Sequence, residues 1–367
     1  MHMVDFTTCS IDKIADYRGH SGQKKGILYN NERYILKYAE DVEMSYNKQF
    51  RDTLSPELRP KYSNDPYTEH MSCRILKRLG FDVQDTILGT VDVPGENGQT
   101  EKRPVIACKN FLTADYKHLV SFHAIVNALS SEKPLSIPRL SDIYKVYCIK
   151  NDYFDEETGL KALSNYWKKF VLDAFLLNTG RRSEDWGYIA SQYKVDNGWG
   201  GSETRFSMEE APIYSFGPSM VHDTPEYYMP KILKDHHHID QIIRHAGATL
   251  LDENDHRIEY YDFLTTTKDP LLIDAIAEIF PKIDMKVVHE VIDEIPMSET
   301  RKDFYKIMLD NSYTQIMQPA YEHSLNYHNL YSYYDLQLAE KDSEKKSSVD
   351  ISNSDFESFE EDKDFDR

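Results

Sequence analysis

The sequence predicts an α+β protein of two lobes, a β-rich N-terminal lobe followed by a helical C-terminal lobe, and three observations predict it. Residues 1–111 carry the order strand pair, capped helix, strand pair. From His118 onward, apolar residues recur at helical spacing. The length of 367 residues with 40% hydrophobic content suffices for one large or two modest cores. The predicted division is 1–111, 112–338 and a tail, 339–367, in which 11 acids face 5 bases among many serines, a composition that opposes packing.

In chain order, Ile27-Leu28-Tyr29 and Arg33–Tyr38 flank Asn30-Asn31, a hairpin turn signal between two apolar runs. Before them lies a glycine loop around Ser21, with Gly19, Gly22 and Gly26 permitting close backbone approach and Lys24 and Lys25 nearby. Such N–H groups suit phosphates, although a glycine-rich hairpin is more often only a turn. Lys37 sits within an otherwise apolar strand; the bland alternative is a lysine on a solvent-facing edge. Residues Asn64–Gly80 carry full helix punctuation: Asn64 or Asp65 to cap, Pro66 in the first turn, Gly80 to end it, and Met71, Ile75 and Leu79 on one stripe. Glu69 opens this helix, where acids also occur for dipole reasons alone. Thr86–Val93 and Arg103–Phe111 read as strands joined by a hairpin at Pro94–Gln99, with a domain boundary near Phe111. Helices are expected at His118–Ser130, Ser141–Lys150, Ile239–Ala246, Pro270–Phe280, Met285–Ile295 and Ser298–Tyr334.

Among them runs a long central helix, with Leu163, Tyr166, Phe170, Val171, Ala174, Phe175 and Leu177 at helical spacing and Lys168, Lys169 and Asp173 expected on the surface. It stops at Asn178-Thr179-Gly180, where Gly180 is expected to take φ > 0. Five polar residues follow, Arg181, Arg182, Ser183, Glu184 and Asp185, before Trp186-Gly187-Tyr188-Ile189 turns apolar. Helix, polar loop, short strand is how kinases build a catalytic loop, and many surface loops share the composition.

The stretch Asn178–Gly187 resembles the catalytic loop of HipA-like serine/threonine kinases, including the CtkA-type branch, whose usual form is Asn-Thr-Asp-Arg-His-x-x-Asn-Trp-Gly. Asn178, Thr179, Arg181, Trp186 and Gly187 match. Gly180 stands where the family has its catalytic Asp, Arg182 where it has His, and Asp185 where it has a metal-binding Asn. A second stretch, Ala211–Met220, resembles the family's Ala-Pro-x-Tyr-Asp-x-Gly-x-Ser-Leu segment, and Ser215 stands where the metal-binding Asp belongs. The resemblance spans roughly 15–325 and implies a protein-kinase-like fold with a cleft for ATP. It assigns Gly19, Ser21, Gly22 and Lys37 to the phosphates, Glu69 to Lys37, and Ala107, Cys108 and Lys109 to the hinge beside the adenine. It assigns Arg181 and Asp185 to the catalytic loop, and Asp185 with Ser215 to the metal. A neutral Ser hydroxyl is a poor ligand for hard Mg²⁺, so Mg²⁺ is poorly served. Two function classes stand side by side: a pseudokinase that keeps the cleft without transferring phosphate, and a divergent kinase using relocated acids such as Asp185, Glu184 or Asp223.

A formal charge of −19 opposes a phosphate backbone and disfavours an anionic membrane, so the expected partner or substrate is a protein, with no direct nucleic acid and no membrane. Cys9, Cys73, Cys108 and Cys148 are scattered without metal-ligand spacing, which reads as reduced thiols in a cytoplasmic protein. No apolar run approaches the ~20 residues of a bilayer span, and the N-terminus lacks a signal-peptide core. His236-His237-His238 reads as an exposed run, and Tyr321–Tyr334 as an amphipathic terminal helix.

Overall fold

The computed structural model describes residues 3–12, 23–41, 61–95, 98–112, 117–129, 137–196 and 201–329. Its N-terminal sheet has six strands: β1 (Val4–Asp5), β2 (Ser10–Ile11), β3 (Lys24–Tyr29), β4 (Glu32–Tyr38), β5 (Thr86–Pro94) and β6 (Thr100–Lys109), in the order β1-β5-β6-β4-β3-β2. The β3–β4 turn uses Asn30 and Asn31 at φ 50° and 63°, the left-handed pair that lets a two-residue loop follow the strand twist. Register sorts the side chains. Ile27, Tyr34, Leu36, Val105 and Ala107 form a small core on one face with Phe6 and Val91, whereas Lys24, Lys37, Ile106 and Cys108 belong to the other.

Helix α1 (Asp65–Arg78) packs on that second face. Pro66 sits in its first turn, and its C-terminal residues reach Gly80 at φ +90°, a value that glycine adopts without strain. Met71 and Ile75 are fully buried in the main core. Thr68 Oγ1 donates to the Gly217 carbonyl at 2.6 Å, and Asn64 Nδ2 to that of Thr224 at 2.9 Å, so the helix is tied to the second half of the chain as firmly as to the sheet.

The second half is less purely helical than expected. Residues 117–121 form strand β7 (Lys117–Ser121) ahead of α2 (Phe122–Leu129), where one helix was predicted from His118. β7 pairs with β8 (Gly187–Asp196), which pairs with β9 (Ser202–Glu210). This hairpin buries Tyr188 and Ile189 but is exposed from Gln192 to Lys194, so apolar alternation, the usual strand signal, is missing along most of it. A further pair, β10 (Gly247–Leu251) and β11 (Arg257–Glu259), lies nearby. The helices are α3 (Leu140–Cys148), α4 (Glu156–Phe175), α5 (Met229–Leu233), α6 (His236–Arg244), α7 (Tyr260–Thr266), α8 (Pro270–Ile279), α9 (Met285–Glu294) and α10 (Glu299–Ser312). After a π-helical turn at Tyr313–Met317, helix resumes to residue 329. The histidine run forms the first turn of α6, where Asp235 accepts a hydrogen bond from the His238 amide at 3.1 Å. The acidic tail and the terminal tyrosines beyond 329 lie outside the described residues. No described helix is long and apolar enough to cross a membrane.

Candidate nucleotide cleft and catalytic loop

Helix α4 ends at Phe175, and the left-handed residue that turns the chain is Leu177 at φ 51°, not Gly180. Gly180 is required for a different reason. A Cβ placed there would stand 2.5 Å from Cγ of Pro218 and closer still to its Cβ. The Pro218 ring thus closes the space into which the side chain of a catalytic Asp would project. Backbone hydrogen bonds zip the two motif segments together: the Thr179 amide donates to the Pro218 carbonyl at 3.2 Å, and the Met220 amide to that of Leu176 at 3.0 Å.

Arg181 was expected among the catalytic groups, and the structure makes it a tie inside the loop. It is buried, its Nη2 donates to Asp173 Oδ1 at 3.0 Å, Nε donates to Oδ2 of the same carboxylate, and Nη1 donates to the carbonyls of Asp185 (3.0 Å) and Tyr214. Its guanidinium also lies 4.7 Å from the centre of the Phe216 ring. Burial opposes the charge, but the Asp173 carboxylate outweighs it and holds the guanidinium protonated. Asn178 Nδ2 completes the cluster at 2.8 Å from Asp173 Oδ1. Asp173 and Lys169, expected on the surface, are therefore buried. Asp173 anchors the loop, and Lys169 pairs with Glu210 of β9. A polar residue on the inward side of an otherwise apolar helix is invisible to periodicity when a distant partner satisfies it.

Asp185 closes a short 3₁₀ turn, Ser183–Asp185. Its Oδ2 accepts the Arg182 amide at 2.9 Å and its Oδ1 accepts the Ser215 hydroxyl at 2.8 Å. Ser215 itself sits at φ 70°, a left-handed conformation that Asp and Asn adopt more readily than Ser. Glu184 lies 3.5 Å from His123 Nδ1, while Asp223 is exposed. Among the described residues, no group of three or more His, Cys, Asp or Glu side chains is arranged to hold a metal ion. With one carboxylate already accepting two hydrogen bonds and one hydroxyl spent on it, the residues present do not fit the metal pair of a kinase.

Across from this loop, the Lys37 ammonium meets Glu69 Oε1 at 2.5 Å, joining β4 to α1. Burial works against the ammonium, yet the Glu69 carboxylate, with Asp185 behind it, holds its pKa above the ordinary lysine value. Asp185 thus lies within electrostatic reach of Lys37. Gly19, Ser21 and Gly22 lie outside the described residues. At the predicted hinge, Ala107 and Cys108 are fully buried, and each pairs with β4 on one side and β5 on the other, so neither backbone is free for an adenine. Central strand residues spend their hydrogen bonds on the sheet. The Lys109 amide donates to the Asp85 carbonyl at 2.7 Å, its carbonyl accepts Gln84 Nε2 at 2.9 Å, and its ammonium pairs with Glu32 on the far face. The first chain beyond the sheet is Asn110–Leu112, where Phe111 packs at 5.7 Å from Tyr214. The residues predicted to border the adenine therefore lie within the sheet, a few positions before the chain leaves it.

No family model matches the chain. It is 31% identical over 328 residues to the serine/threonine-protein kinase CtkA of Helicobacter pylori, an alignment covering 89% of this chain and 90% of that protein. The chain belongs to the HipA-like, CtkA-type kinase family. The crystal structure of the Helicobacter pylori proinflammatory kinase CtkA matches this HipA-like chain with a TM-score of 0.69 at 28% identity, over 89% of this chain and 99% of that one. HipA of Shewanella oneidensis, solved with HipB and operator DNA, matches at 14% identity with a TM-score of 0.46, over 86% and 70% of the two chains. The match to CtkA shows the kinase-like fold of this chain, and within it the space beside Gly180 is closed by Pro218.

Proposed function

We propose that this chain is a HipA-like kinase homologue that binds a nucleotide in the cleft between Lys37 and Asp185 and does not transfer its phosphate at a rate ordinary for kinases. The observation that carries this is the contact between position 180 and Pro218: the base is absent, and its space is filled. The nucleotide, when bound, supplies a triphosphate. The Lys37 ammonium, aimed by Glu69, is the group suited to hold it. Loss of an in-line base or a metal-holding carboxylate removes several kcal/mol of transition-state stabilisation, and each ~1.4 kcal/mol is tenfold in rate. The protein would then act as a binding or regulatory module toward a protein partner. All four cysteines are unpaired, in keeping with a reducing cytoplasmic setting.

A second function is favoured by one contact, the carboxylate of Asp185 held at 2.8 Å by Ser215, which keeps an acid within the pair of positions the family uses for metal. Under it the chain is an active, divergent serine/threonine kinase. Intact-mass measurement after incubation with ATP and Mg²⁺ or Mn²⁺ separates the two. No mass gain is expected. Phosphate incorporation at an ordinary kinase rate, abolished by Lys37→Ala, would reject the pseudokinase.

A further inference from the structure

Lys24 is a positive charge that the described structure leaves uncommitted. It lies directly opposite Lys37 in the β3–β4 ladder, so the two side chains share the face that looks into the cleft. Lys37 is committed to Glu69, whereas the Lys24 ammonium has no hydrogen-bond or ion-pair partner among the described residues. Lys24 is half-buried, and the charged groups around it are Lys37, Asp185 and Glu69, the same set that defines the cleft. The neighbouring Lys25 pairs with Leu36 and so belongs to the opposite face, with the small core. With Glu69 spent on Lys37, the adjacent Lys24 and Lys37 ammoniums repel, an effect that Asp185 offsets only in part and that a further anion between them would relieve. The metal-binding positions, meanwhile, are occupied with each other, Ser215 donating to Asp185.

We infer that the cleft takes a nucleoside triphosphate free of divalent metal, and that Lys24 supplies beside Lys37 the phosphate neutralisation that Mg²⁺ supplies in metal-using kinases. It rests on the nucleotide binding proposed above and adds the metal-free form of the ligand and a second phosphate-holding residue. A lysine is suited to this because its ammonium is a compact point charge on a flexible stem that can follow a phosphate whose position no metal fixes. Burial, followed by the repulsion of Lys37, lowers the pKa of Lys24, and a bound polyphosphate would reverse that effect.

The test is calorimetric titration of the full chain with ATP in EDTA and in Mg²⁺, for the wild type and for Lys24→Gln, Lys24→Arg and Lys25→Gln. Wild-type affinity is expected to differ by less than about threefold between the two buffers. Lys24→Gln should weaken binding in EDTA by about tenfold, the worth of one charge-assisted phosphate contact, while Lys24→Arg and Lys25→Gln stay near wild type. Binding by the wild type that requires Mg²⁺ would overturn the inference and leave nucleotide binding standing, as would equal losses for Lys24→Gln and Lys25→Gln. Absence of binding in both buffers would end the nucleotide-binding function itself and the inference with it. If Lys24→Gln does not fold, the wild-type comparison still decides the metal-free form, and Lys24→Met, of similar length and without charge, takes its place for the residue with the same expected loss.

Discussion

A side chain at position 180 would have to displace the ring of Pro218, and a proline ring has no flexible end to swing aside. Position 180 and the residue facing it therefore behave as a pair, and a single substitution there meets a steric barrier before it meets any chemistry. Gly180→Asp is expected to lower stability by about 1–3 kcal/mol, the usual cost of overpacking, and to add no phosphotransfer. Combining it with Pro218→Gly should recover part of the thermal midpoint, because both close contacts, Cβ and Cγ of Pro218, are then gone. Midpoints for the single and double variants, with intact mass after ATP, check both statements. A single variant as stable as the wild type would show that the loop opens freely and that Pro218 is no obstacle. Ser215, left-handed at φ 70°, adds a second mark of a site whose backbone suits the family's Asp better than the residue present.

The catalytic loop, as an element, is a clamp around one buried ion pair. Arg181 reaches α4 through Asp173, the 3₁₀ turn through the Asp185 carbonyl and the Ala211–Met220 segment through the Tyr214 carbonyl. Arg181→Ala leaves the Asp173 carboxylate buried without its partner, and breaking such a pair costs about 3–5 kcal/mol. Arg182→Ala, at an exposed position, should cost under about 0.5 kcal/mol. Chemical denaturation of the two variants checks the contrast, and similar losses would mean that Arg181 holds nothing that Arg182 does not. The elements that surround this clamp were legible in the sequence to different degrees. The β3–β4 turn, α1 and the β5–β6 hairpin announce themselves through local chemistry: Asn-Asn, Asn-Asp-Pro and a glycine-containing turn. Lys37 and Glu69 were paired through the resemblance to the kinase family, since a lysine on a strand and an acid in the first turns of a helix each have a plainer reading alone. Of the β7-β8-β9 sheet only a short strand near Trp186–Ile189 was expected, because the exposed part has no apolar face to give a period of two. Lys169, Asp173 and Pro218 were missed because their significance lies in residues outside their own element, Glu210, Arg181 and Gly180. Lys24 became readable only when the strand register set it opposite Lys37.

At the scale of the whole molecule, α1 is the piece that both lobes hold. It lies on the six-stranded sheet, carries Glu69 to Lys37, bonds the Gly217 and Thr224 carbonyls, and at its far end pairs Arg74 and Arg78 with Glu290 and Glu294 of α9. Those last pairs are largely exposed and are worth little, about 0–1 kcal/mol each and less in salt. His70, on the same helix, has more influence on stability as pH changes. It is buried, its Nδ1 lies 2.9 Å from Thr86 Oγ1 of β5, and its Nε2 has no partner among the described residues. Burial, followed by the neighbouring Arg74, lowers its pKa from 6.5 to about 4. Since the folded value is depressed, the unfolded chain takes up the proton first as pH falls. The contribution to stability is therefore full above about 6.5 and is lost progressively toward pH 4, amounting to about 3 kcal/mol across the window. Thermal midpoints measured between pH 7.5 and 4.5 should fall more steeply for the wild type than for His70→Asn, which keeps a hydrogen-bonding group near Thr86 and has no proton to gain. The two curves should converge toward the acid end, where the wild type has lost the advantage of a neutral imidazole. Parallel curves would mean that His70 is protonated in the folded protein, with the junction between α1 and β5 open to water.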